Sequence, residues 1–138
     1  AQALIECLPQ ILSGTSQPRP QISSDSSYAP LLNKQDGLLD FSLDARSLWL
    51  RIRGLTPWPG AFAYLADKRC LFIEVLPVQG SGNPGEVIAA DSSGIRVACG
   101  EGALLVKQVQ PAGKKPMQAS AWVAGRVVSP GDYFRGVH

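Results

Sequence analysis

The sequence has 138 residues, 45% hydrophobic and 17% charged, which provides for one packed domain with some attached segment and excludes a disordered chain. Net charge is only +2, but residues 1–40 hold two basic against four acidic side chains, and residues 41–138 hold eleven against seven. The larger part is mildly basic, which suits a weak phosphate-tracking surface better than a dedicated high-affinity polyanion binder. No apolar run approaches the roughly 20 residues of a membrane helix. Ala1 opens in the middle of a helical pattern, with neither a basic start nor a small-residue cleavage site, so the reading is a piece of a longer chain without a signal peptide.

Leu4, Ile5, Leu8, Ile11 and Leu12 recur at helical spacing over residues 3–12. Pro9 falls inside that pattern and predicts a kink or a restart. Gly14 stands where a helix C-terminus favours glycine. Residues 16–30 are rich in Ser, Gln and Pro and read as a linker. A second helix is expected over 42–55, capped by Ser42, with Asp44 in its first turn. Its buried stripe is Ala45, Leu48, Ile52 and Leu55, with Arg46, Trp49 and Arg53 on another face. Pro57 and Pro59 forbid its continuation.

From residue 61 the period changes. Ala61–Leu65, Cys70–Leu76, Glu86–Ala90, Gly94–Ala98 and Ala103–Gln110 are short, rich in β-branched or aromatic residues, and separated by turn-forming stretches. Five strands in such close succession predict a mainly β fold: a small antiparallel barrel. Ser120 is expected to cap a last short helix, 121–127, before an irregular tail.

The sequence is poor in reactive constellations. Cys7, Cys70 and Cys99 are odd in number, far apart and without a Cys-x-x-Cys pair, so they read as small buried hydrophobes and not as a zinc site or disulfide framework. The only histidine, His138, is the last residue, so no catalytic Ser-His or Cys-His arrangement is expected. Gly80-Ser81-Gly82-Asn83-Pro84-Gly85 matches the letters of a dinucleotide fingerprint. That motif must open a helix, whereas Glu86–Ala90 reads as a strand, so a hairpin loop is the better reading. Lys114 and Lys115 are held between Pro111, Gly113 and Pro116 on a stiff loop leaving a strand, where pre-ordering lowers the entropic cost of engaging an anion. A solvated turn with lysines for solubility is the competing reading. Arg46 and Arg53, with Trp49 between them, form a second basic candidate, against which stands a core-edge indole with two solvated arginines.

Four segments, taken in order, carry a resemblance. Tyr28–Gly37 followed by Leu39-Asp40-Phe41-Ser42, then Ile52-Arg53-Gly54-Leu55-Thr56-Pro57-Trp58-Pro59, then Pro84-Gly85-Glu86-Val87 with Gly94–Gly102, and last Gln110-Pro111-Ala112-Gly113-Lys114-Lys115-Pro116-Met117 are similar to the C-terminal part of methionyl-tRNA formyltransferases. The resemblance implies an OB-like barrel over 41–138, a linker over 16–40, and, over 1–15, the last helix of a catalytic domain absent here. It implies a parent enzyme that formylates initiator tRNA from 10-formyltetrahydrofolate, with the donor and all catalytic residues in that other domain and no cofactor or metal in this one. Lys114 and Lys115 match the family's lysine pair and Lys34 its second linker lysine, while Leu31 stands where the first would be. Expected partners are the initiator tRNA, through phosphates, and the catalytic domain of the same chain. The setting expected is the bacterial cytoplasm or an organellar matrix, the protein monomeric. Two alternatives stay open: a related formyltransferase acting on an amino sugar, and a purely structural buttress.

Overall fold

A computed structural model describes residues 2–136. The chain divides into two compact units, Ala1–Leu31 and Leu32–His138. In the first, α1 (Gln2–Leu12) runs through Pro9 without restarting. Gly14 adopts φ +72°, and amide donors from Ser13 to Ser16 close onto carbonyls of the last turn, so the expected glycine cap forms. The apolar stripe of α1 buries nothing within this unit. Cys7 on α1 is likewise exposed, which corrects its reading as a buried hydrophobe. Residues 16–30 are irregular and exposed apart from one 3-10 turn, Ser23–Asp25.

The second unit begins before residue 41. Asn33 caps a 3-10 turn, Lys34–Gly37, through a capping box with Asp36. Gly37 and Leu39 are buried, and the Leu39 amide donates to the Phe62 carbonyl, so the last residues of the expected linker pack with the barrel. Helix α2 (Ala45–Gly54) buries the predicted Ala45, Leu48 and Ile52, followed by Leu55 just beyond its end. Its cap is Asp44, not Ser42. The Ser42 amide and hydroxyl both donate to Asp40 Oδ1, at 3.0 and 2.6 Å, and that local turn takes Ser42 out of competition. Asp44 is left to accept the Ser47 amide at 2.9 Å.

The Ser47 side chain first, then the Ser47 amide and further backbone donors at the helix start, hold the Asp44 carboxyl below the ordinary carboxylate range. A depressed folded pKa contributes stability that is present above the unfolded value of about 3.9 and is lost as pH falls through the folded one. Asp44→Ala is therefore expected to lower the melting temperature at pH 7, with the gap to the unmodified chain narrowing below pH 4. A gap that stays constant to pH 2 would assign the effect to something other than the charged cap.

The sheet comprises β1 (Phe62–Leu65), β2 (Lys68–Val78), β3 (Val87–Asp91), β4 (Gly94–Ala98), β5 (Ala103–Pro111), β6 (Met117–Gln118) and β7 (Phe134–Arg135), in the order β3-β4-β5-β2-β1-β7, with β6 beside β5. Every strand pairing is antiparallel. Along β2, Cys70 and Phe72 point inward, but the next buried residue is Val75. The extra step coincides with register shifts on either side of Glu74, a bulge that bends the long strand.

Residues 131–135 draw the sheet's two edges together. Phe134 lies beside Leu65 of β1, Tyr133 bridges Glu86, and the Val87 amide donates to the Asp132 carbonyl. Gly85, at φ +86°, lies against the Phe134 carbonyl where no Cβ would fit. No helix starts there: β3 follows, as expected. The 80–85 segment is not a hairpin, however, because β2 pairs with β1 and β5 while β3 pairs with β4. It is a crossing between strands that are not neighbours. The antiparallel, curled sheet agrees with the expected OB-like β fold.

The core lies inside this curl. Phe72 meets Phe134 edge-on at 5.2 Å and Phe41 at 6.1 Å, which ties the segment before α2 and the tail to β2. Helix α3 (Ala119–Ala124) adds Ala119 and Trp122. It starts earlier than expected and follows Gln118 directly, with no side-chain cap, since the paired strand β6 runs straight into it. Ser120 is thus inside the helix and not its cap. Among the described residues, no helix is long and apolar enough to cross a membrane.

Candidate functional site

The Lys114–Lys115 loop joins β5 to β6. Gly113 takes φ +74°, the Lys114 amide donates to the Pro111 carbonyl at 3.0 Å, and the Gln110 side-chain amide donates to the Lys114 carbonyl at 2.9 Å. The loop is therefore ordered by its own backbone, as its prolines and glycine predict, and both lysines are exposed. Antiparallel pairing sets Cys70 opposite Pro111, and the Ala112 amide donates to the Arg69 carbonyl at 2.9 Å. That register brings the β1–β2 hairpin, turned at Ala66 and Asp67 with positive φ, beside the lysine loop. Lys68, Arg69 and Lys114 consequently line one cleft of about 410 Å³, with Lys115 next in the chain.

Lys68 and Arg69 were not among the residues singled out from sequence. Only the β2–β5 register places them near Lys114, across a separation of more than forty positions that sequence spacing does not report. Arg69 stacks its guanidinium over the Phe62 ring, 4.0 Å from the centroid, and its Nε is buried without a hydrogen-bond partner. The one ion pair among the described residues is Arg135 with Asp67, at 3.5 Å and largely solvent-exposed. Neither lysine nor Arg69 has an acidic partner there.

The other candidates disperse. Arg53 stacks over Trp49 at 4.6 Å and borders a cleft with Glu74. Arg46 borders a different one, together with Asp44 and Glu101. The expected face of Arg46, Trp49 and Arg53 thus resolves into one arginine–indole stack and one arginine beside two carboxylates. Lys34 is exposed on the 3-10 turn before Gly37. The turn itself is held to α2 by Arg51, whose Nη2 donates to the Asp36 carbonyl at 2.9 Å.

The two buried cysteines are held as thiols. Burial pushes the Cys70 thiol up to about 12 and the Cys99 thiol up to about 11, so neither is a thiolate near neutral pH. No charged or polar residue is buried among the described residues, and no group of three or more His, Cys, Asp or Glu is placed to hold a metal ion. His138 lies outside the described residues.

Comparison with known proteins decides the family. Residues 31–127 match the model of the formyl transferase C-terminal domain. The chain belongs to the formyl transferase C-terminal domain family. A methionyl-tRNA formyltransferase of Citrifermentans bemidjiense is 40% identical over 131 residues, covering 95% of this chain and 41% of that protein. One of Myxococcus xanthus is 43% identical over 130 residues, covering 94% of this chain and 42% of that protein. The chain thus spans about two fifths of the length of the curated relatives it matches. The structure of HypX from Aquifex aeolicus in complex with tetrahydrofolic acid superposes with a TM-score of 0.61 over 91% of this chain and 22% of that one. At 22% identity that likeness speaks for the fold alone.

Proposed function

We propose that this chain is the tRNA-holding C-terminal domain of a methionyl-tRNA formyltransferase, with the formyl transfer carried out by a domain outside it. The observation that carries the reading is the gathering of Lys68, Arg69, Lys114 and the adjoining Lys115 at one end of the barrel, without acidic partners among the described residues, in a chain 40% identical to a methionyl-tRNA formyltransferase. The mechanism is electrostatic. Lysines and arginines engage phosphates, counterions are released, and base identity is left to the other domain. Lys34, before the barrel, and Arg46 and Arg53 on α2 contribute further positive charge along the same chain.

The formyl donor, 10-formyltetrahydrofolate, belongs to the other domain. Among the described residues no polar or charged residue is buried as a whole, and the cleft that holds the unpartnered Arg69 Nε is assigned to phosphate. Partners are accordingly the initiator tRNA and the catalytic domain of the same protein, in a bacterial cytoplasm or an organelle of bacterial descent, with the protein acting as a monomer.

Two measurements on the purified chain test this. It should retain tRNA on a filter at low ionic strength, and it should form no formyl-methionyl-tRNA with donor and charged tRNA present. Failure to bind tRNA at 20–50 mM salt would leave a structural buttress as the better reading, and product formation would place catalytic groups in the barrel.

A further inference from the structure

We propose that the cleft between the β1–β2 hairpin, the β5–β6 loop and α3 receives one unpaired nucleotide of an RNA, its phosphate on the basic rim and its base against the apolar wall. This rests on the reading that the chain holds RNA and goes further, since phosphate contact alone needs no cleft. The volume of about 410 Å³ lies within the roughly 300–1,000 Å³ usual for small-ligand sites.

Its lining combines two chemistries. Half-buried Leu65 and Met117, exposed Val127 and the edge of buried Trp122 present apolar surface. Hydrated apolar surface in a concavity gains free energy when a flat ring covers it. Lys68, Arg69 and Lys114 line the same cleft, Lys68 directly paired with Leu65 across the β1–β2 hairpin; among the described residues no acidic residue lines it and none of the three has an ion-pair partner. Stacking on Phe62 already holds the Arg69 guanidinium, so little side-chain freedom is lost when an anion arrives.

The occupant must carry an anion and a flat apolar face a few ångströms apart. A free phosphate satisfies only the rim. A base inside a duplex cannot reach the wall, because both its faces are stacked. An unpaired nucleotide satisfies both, and base stacking on protein surfaces is tolerant of sequence.

Met117 is the sole methionine in the sequence and lies on the wall, so a methyl-labelled methionine gives one NMR signal from within the cleft. The full chain is titrated with a single-stranded RNA hexamer, a blunt RNA duplex and inorganic phosphate. A ring-current shift of the Met117 methyl is expected with the hexamer alone. Ala121, exposed on α3 and lining the cleft, offers a site for filling it without touching the charges. Ala121→Trp is expected to weaken hexamer binding at least fivefold while leaving duplex affinity within twofold, and K68Q with K114Q to weaken both. A Met117 signal that stays still, or moves equally with duplex or with phosphate, overturns the nucleotide proposal and leaves the phosphate-only reading standing. Equal or tighter cleft binding by an acidic aromatic peptide overturns it in favour of a protein partner. Absence of binding by either RNA overturns both readings.

Discussion

Replacing Leu48 with alanine is expected to destabilise the barrel unit by about 2–5 kcal/mol. Leu48 has no exposed surface and sits at the middle of the buried stripe of α2, between Ala45 and Ile52. Truncation there loses the transfer energy of the missing methyl groups and leaves a cavity, because α2 is fixed at both ends. Its start is held by the Asp44 cap and by the Ala45 amide donating to the Glu101 carbonyl. Beyond its end, the Gly60 amide donates to the Leu55 carbonyl. A helix so pinned cannot slide inward to fill the void, which places the loss toward the upper part of that range. For a unit of about this size, each kcal/mol moves the melting temperature by roughly 4–8 °C, so a fall of 10 °C or more is expected. Leu50 provides the control on the same helix. It is 49% exposed, and Leu50→Ala is expected to stay within about 0.5 kcal/mol. Urea unfolding followed by circular dichroism measures both, and near-equal losses for the two variants would overturn the assignment of the α2 inner face.

That inner face was legible in the sequence because its signal is local: Ala45, Leu48, Ile52 and Leu55 recur within eleven residues. The five main strands were legible for the same reason, each being a short β-branched run between turns. What escaped depends on groups that meet from afar. The two-residue strands at Met117 and Phe134 are too short to show a period, yet the second draws the edges of the sheet together. The bulge at Glu74 exists only relative to the partner strand β5. Ser42 and Asp44 are equally good caps on composition, and Asp40, two residues before Ser42, decides between them by taking both Ser42 donors.

The candidate site divides along the same line. Lys114 and Lys115 announce themselves through the prolines and glycine around them. Lys68 and Arg69 look like ordinary strand-edge cations until Cys70 is set opposite Pro111. Conversely, Arg46 and Arg53 share a helical spacing, but their surroundings separate them, one next to Glu101 and the other stacked on Trp49. Spacing along one element predicts a shared face. It does not predict what the neighbouring elements bring to that face.

Changing Lys68, Lys114 and Lys115 together to glutamine is expected to weaken tRNA binding by the chain roughly a hundredfold near 0.1 M salt, and to flatten its salt dependence. Each phosphate engaged releases condensed counterions and contributes ~0.7–0.9 to the slope of log affinity against log salt. Three contacts in the unmodified chain therefore give a slope of about −2 to −3. Extrapolated from 1 M salt, where that contribution vanishes, to 0.1 M, the same three contacts supply about two log units of affinity. All three lysines are exposed, so glutamine removes charge without disturbing packing, and an unchanged melting temperature checks this. Arg69 is kept because its stack on Phe62 also supports the hairpin, and its loss would mix stability with binding. The same change should reduce affinity for initiator and elongator tRNAs alike, since lysine contacts to phosphate carry no base identity. Filter binding of both tRNAs across 20–300 mM salt reads slope, affinity and preference together. A slope that stays at its original value after the triple change would place the phosphate contacts elsewhere on the chain. A strong initiator preference in the unmodified chain, abolished with the lysines, would move tRNA selection into the barrel.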